Sequence, residues 1–166
     1  MHAYELYSNM SPSLANQQFQ WMRDAQRDLY KTAIASLAEG SKLRPVYVTK
    51  KPVTEQITWL HKQLKAKKTN MLGEHLLQAW FMKGQQEMLI SFCDSMEIKH
   101  DGTGAVEEEL PKDLNAEKLK FAVDTLFEKF PADITSLYLY VFNIQNNDGW
   151  KNLTKMLAED SRITLA

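Results

Sequence analysis

Residues 71–96 read MLGEHLLQAWFMKGQQEMLISFCDSM. Leu72, Leu76, Trp80, Gly84, Met88, Phe92 and Met96 recur every four residues, with Leu77, Phe81, Leu89 and Cys93 in a neighbouring row. Apolar side chains at this interval, covering much of the cylinder, mark a buried helix. The stretch therefore predicts the central helix of an all-α fold. Gly84 falls within the stripe, where Gly costs ~1 kcal/mol against Ala; either another helix crosses closely there or this one bends.

Upstream, residues 11–39 read as one long helix. Ser11 is the N-cap, Pro12 sits at the first helical position, and Gly40 is the stop. Its apolar stripe is Phe19, Met22, Leu29, Ala33 and Leu37, and its first half is crowded with Gln, Arg and Asp. Such a helix lies on a surface or pairs with another chain, so residues 11–40 are expected to form a helical arm, a candidate for homodimerisation. Residues 41–52, with Val46-Tyr47-Val48-Thr49 between Pro45 and Pro52, predict an extended strap. Residues 53–166 are the expected helical core. Val53, Ile57, Leu60 and Leu64 place a helix over about 53–67, and Leu119, Ala122, Val123, Leu126, Phe127 and Phe130 place another over about 115–130. Between the central helix and this one, residues 97–114 form a polar, acidic loop. Residues 133–145 have strand-like composition, but Asp133 as cap and the lack of a partner strand favour helix. A last helix spans about 148–159, followed by a loosely packed tail. The expectation is a single-domain bundle of five or six helices.

Composition bounds the function. The chain has 166 residues, 44% hydrophobic and 25% charged, as in an ordinary globular domain. Six Gly and five Pro argue against a turn-rich all-β fold. The sequence pI of about 6.4 is far from that of a protein built to coat nucleic acid. The lone Cys93 can form neither an internal disulfide nor a thiolate zinc site, which suits a reducing compartment. With no charged and apolar leader in Met1–Tyr7 and no run of ~18 apolar residues, a cytoplasmic location without membrane contact is expected. Asn9-Met10-Ser11 and Asn152-Leu153-Thr154 are then chance glycosylation patterns.

The net charge of −1 hides an asymmetry. Residues 1–70 carry eleven Lys/Arg and five Asp/Glu, net +6, whereas residues 71–166 carry nine and sixteen, net −7. Lys42, Arg44, Lys50, Lys51, Lys62, Lys65, Lys67 and Lys68 lie within 27 residues, with Glu55 the only acid and Tyr47 and Trp59 among them. Lys50, Lys51, Lys62, Lys65 and Lys68 are the candidate contacts to an acidic protein surface, including a second copy, or to nucleic-acid phosphate. A plain solvated face and favourable helix-end lysines are the alternatives.

Four residues, Asp94, Glu97, His100 and Asp101, form a candidate metal or acid–base cluster. The EF-hand order is not met, and an acidic turn on a helix end explains the same residues. Glu74-His75 lacks the second His of a zinc helix, because residue 79 is Ala. Cys93, next to acids and apolar groups, reads as buried and inert. Met71, Met82, Met88 and Met96 could line an apolar groove but more simply belong to the core, Met82 excepted. No phosphate loop, dinucleotide fingerprint or nucleophile elbow is present, and no cofactor is implied. The reading is a small cytoplasmic, non-enzymatic interaction or regulatory protein that binds a protein partner or itself. The alternatives are a nucleic-acid-associated regulator using residues 42–68 and a metal-binding protein or enzyme centred on residues 94–101.

Overall fold

The computed structural model describes residues 1–166 and is all-α, with ten α-helices and no strands. They are α1 Ala3–Asn9, α2 Pro12–Ala25, α3 Arg27–Gly40, α4 Pro45–Thr49, α5 Val53–Leu64, α6 Asn70–Ala79, α7 Gln86–Met96, α8 Ala116–Lys129, α9 Ala132–Ile144 and α10 Lys151–Glu159. The chain divides into two compact units, one of residues 2–80 with Ala166, the other of residues 81–165 with Met1. The division falls inside the stretch expected to be one central helix. Trp80–Gly84 is a π-helical turn and Gln85 leaves the helical region at φ −130°, ψ 39°, so α6 and α7 are separate helices. A π turn carries an extra residue per turn, and such turns are recognised sites of helix distortion.

In the first unit, the long helix expected over 11–39 is two. It breaks at Gln26 (φ −135°, ψ 58°), whose N–H still donates to the Met22 carbonyl at 2.8 Å. The break lets α2 bury Leu14, Phe19 and Met22 while α3 buries Tyr30, Ile34 and Leu37, with α2 packed on both α3 and α5. The segment expected as an arm is thus part of a packed unit. Ser11 caps α2, its hydroxyl accepting from the Leu14 N–H at 3.1 Å, with Pro12 behind it as expected.

The expected strap is also corrected, because Pro45–Thr49 is a short helix. Pro45 has the φ that a first helical position needs. The Gln56 amide then donates to the carbonyls of Lys51 (2.8 Å) and Thr49 (3.2 Å), closing the end of the segment, while Gln56 itself is held by the Tyr30 hydroxyl at 2.7 Å. Unforeseen α1 packs Ala3, Leu6 and Tyr7 on this unit, against α6 at Gly73. A Cβ at Gly73 would lie 3.2 Å from the Tyr7 ring and 3.3 Å from the Ala3 Cβ, so the closely packed glycine of α6 is Gly73, while Gly84 marks the other outcome expected of it, the deviation of the helix at the π turn.

In the second unit the central helix is α9, with nine of its thirteen residues buried, rather than 71–96. Burial all round explains its strand-like composition, since every face meets core. Phe92 lies 5.4 Å from Tyr138 and 4.8 Å from Phe142, ring centre to ring centre, and Trp150 stacks on Phe142 at 4.7 Å. The Trp150 indole N–H donates to the Pro111 carbonyl at 3.0 Å, tying the acidic loop to α10. The C-terminal tail is packed, not loose. Ile163 and Leu165 are buried, and Arg162 bridges Asp124 and Asp160 at 2.8 and 2.7 Å while lying over the Phe127 ring.

Gly104 ends the turn after α7 at φ +91°, and a Cβ there would stand 2.4 Å from the Leu89 Cβ. Backbone strain and overpacking act together, so Gly104→Ala should cost about 2–4 kcal/mol. A Cβ at Gly40 would meet nothing within 4 Å, so Gly40→Ala is the control and should leave the urea midpoint unchanged or raise it slightly. Equal midpoints for the two variants would disprove the packing role of Gly104.

Candidate interaction surface

The division between units sharpens the charge asymmetry. Residues 2–80 carry eleven Lys/Arg against six Asp/Glu, net +5, and residues 81–165 carry nine against fifteen, net −6. Within the basic unit, α5 presents Thr54, Thr58 and Lys62 on one line, four residues apart, and a groove runs on each side. One groove is bordered by Lys51, Glu55 and Trp59. The other lies between α2 and α5, with Pro12, Ala15 and Ile57 as apolar lining and Asn16, His61 and Lys65 as its polar part. The structure thus brings together Lys51, Lys62 and Lys65. Lys68 borders a different groove and reaches the Gly40 carbonyl at 3.4 Å, closing the end of α3, and Lys50 is exposed at the end of α4 outside both α5 grooves. The Lys51 ammonium sits 4.8 Å from the centre of the exposed Tyr47 ring.

Beneath the second groove is a polar core that the sequence did not disclose. The Tyr7 hydroxyl and the Gln18 amide are hydrogen-bonded, and His61 Nε2 lies 2.7 Å from the Tyr7 carbonyl, which requires the proton on Nε2. Burial holds the His61 imidazole below its ordinary range; the Tyr7 carbonyl opposes this in part and the Lys65 charge adds to it. His75, by contrast, is exposed, and nothing joins it to His61.

The acidic turn does not assemble into a ligand set. Asp94 accepts from His100 Nε2 at 2.8 Å, and His100 Nδ1 accepts from the Gly102 N–H at 3.0 Å. Glu97 adopts the left-handed conformation that ends α7 and pairs with Lys118 at 2.5 Å. Asp101, exposed, accepts from the Thr103 N–H and hydroxyl of its own turn at 2.8 and 2.6 Å, which holds its carboxyl below the usual range. No three His, Cys, Asp or Glu side chains converge on a common point. Cys93 is buried with its Sγ 3.8 Å from the Gly104 carbonyl; burial first and Asp94 second push its thiol up to about 11. Of the four methionines, Met88 and Met96 are core, Met82 is half exposed as expected, and Met71 is also exposed. No helix is long and apolar enough to cross a membrane. Comparison with protein-family models, curated proteins and solved structures finds no match.

Two pH effects follow. As acidity rises through pH 6.5 the unfolded chain protonates His61 while the folded chain resists, so stability is full above that pH and falls below it. The urea midpoint should drop between neutral and mildly acidic pH, and less steeply in His61→Gln; parallel slopes would refute the assignment. For Cys93 the thiolate fraction below pH 9 is lower in the folded chain by about a hundredfold, the value of two pKa units. A thiol-specific disulfide reagent at pH 8 should therefore label the native protein at least that much more slowly than the urea-unfolded one, and comparable rates would contradict it.

Proposed function

We propose that the chain is a non-enzymatic interaction protein of the cytoplasm whose basic unit docks an acidic segment of a protein partner along α5. The observation that carries this reading is the placement of Lys51, Lys62 and Lys65 around the two α5 grooves, in a unit of net charge +5. None of the three has an ion-pair partner in the chain. The α2/α5 groove contains no acid and offers apolar floor beside cations, which suits a peptide with acidic and apolar side chains.

A second reading, nucleic-acid binding, is supported by the exposed Tyr47 ring under Lys51 and by Trp59 in the first groove, since bases stack on aromatics between cations. Protein is preferred because the acid-free α2/α5 groove has apolar lining and no aromatic ring other than the His61 imidazole on which a base could stack.

The test is fluorescence anisotropy at low ionic strength with a labelled Glu/Leu peptide and, separately, a single-stranded oligonucleotide. Peptide binding should weaken with salt, and by about tenfold in Lys62→Glu/Lys65→Glu, as expected for two reversed exposed charges. Tighter binding of the oligonucleotide would transfer the surface to nucleic acid, and no peptide binding would refute the proposal.

A further inference from the structure

We infer that the acidic segment that fits the α5 surface belongs to a second copy of this chain, namely residues 107–110 in the loop between α7 and α8. The inference rests on the basic surface proposed above and names its partner. Glu107, Glu108 and Glu109 are consecutive, all exposed, and none has an ion-pair partner. They are the densest run of like charge in the unit of net −6, as Lys62 and Lys65 belong to the dense run in the unit of net +5.

The segment is held at both ends and free between them. At its start, His100 and Val106 form an antiparallel bridge and the Glu107 N–H donates to the Lys99 carbonyl at 3.2 Å. At its end, the Pro111 carbonyl accepts from the Trp150 indole at 3.0 Å. Pro111 also keeps Leu110 out of the helical region. A strap fixed in this way loses little freedom when it binds, which favours association.

Size and chemistry match. Glu107–Leu110 spans about 13 Å when extended, and the face of α5 from Thr54 to Lys65 rises about 16 Å. The carboxylates of Glu107–Glu109 meet Lys62 and Lys65 at the C-terminal end of this face, and Leu110 meets the apolar floor at Ile57 and Ala15. Each copy carries one basic surface and one acidic strap. Reciprocal pairing closes a two-fold dimer, and one-way pairing propagates a chain of copies. The contacts are exposed charge pairs, so the association is weak and is screened by salt.

The experiment is light scattering coupled to gel filtration, at low and high ionic strength and across protein concentration. The mass should exceed the 19.2 kDa of one chain at low ionic strength, grow with concentration, and return to one chain at high ionic strength. Lys62→Glu/Lys65→Glu and Glu107→Lys/Glu108→Lys/Glu109→Lys should each be monomeric alone, with unchanged helical circular dichroism. Mixed together they should associate, because the reversed charges are complementary again. A misfolded variant could not regain association by mixing. A wild-type monomer under all conditions, association that survives high salt, or a failure of the mixture to associate would each overturn the inference. The Glu/Leu peptide separates the two levels: peptide binding by a monomeric wild type overturns only the self-association, and absence of both overturns the basic surface as well.

Discussion

Trp80 and Phe81 are consecutive and almost fully buried, at 1% and 2% exposure, yet each belongs to a different compact unit. A regular helix through this point would run one continuous stripe from Leu72 to Met96. The π turn at Trp80–Gly84 and the non-helical Gln85 end that stripe and begin another. On the C-terminal side Phe81 then stands 5.4 Å from the Tyr138 ring and anchors the aromatic cluster of α7 and α9. On the N-terminal side α6 keeps Leu76 and Leu77, and the π turn keeps Trp80, for the unit that α1, α2 and α5 complete. The same interruption separates the charges into two units, because the basic run lies wholly before it and the acidic loop wholly after it.

Much of the helical content was legible. The stripes of α5 and α8 and the Ser11-Pro12 start of α2 are where spacing and capping residues place them, whereas Gly40, expected just beyond α3 as its stop, is its last helical residue, and the left-handed residue that follows is Lys42 (φ 57°). Three features were not legible, for distinct reasons. The break at Gln26 has no Gly or Pro to announce it; tertiary packing of two stripes on one core overrides a sequence that is locally helical. The four-residue repeat from Leu76 through Trp80, Gly84 and Met88 continues in the sequence across a point where the helix does not, so periodicity alone joined α6 to α7. The Val46-Tyr47-Val48 run has strand composition, but its conformation is settled by Pro45 and by Gln56, a residue beyond the segment itself.

The candidate surface was half legible. The lysine run is visible as composition, but which lysines share a surface depends on helix phase and on neighbours. Lys62 and Lys65 flank the groove because α2 lies beside α5, whereas Lys68, three residues further, is taken up by the Gly40 carbonyl. The carboxylates near the end of α7 were close in sequence and separate in space. A left-handed Glu97 sends its carboxylate to Lys118, and Asp101 closes its own turn with Thr103. Sequence proximity is a poor guide there because a helix end is the place where the chain changes direction. The Tyr7, Gln18 and His61 group lies at the other extreme, since its members are 54 residues apart at most and meet only through packing.

The segregation of charge is a pattern that folding does not require. Like charges gathered in one unit repel and lower its stability, and a mixed surface of the same composition would be at least as soluble. Ion pairs are formed elsewhere in the chain, as Arg162 shows with Asp124 and Asp160, so the sequence is not short of the means to neutralise exposed charge. Lys51, Lys62 and Lys65 are nonetheless left unpaired around grooves, and Glu107–Glu109 are left unpaired on a strap tied at both ends. The proposed docking along α5 would supply from outside the single chain the compensation that these charges lack within it. That is the physical ground for reading this molecule as a binding protein and for seeking the binding along α5.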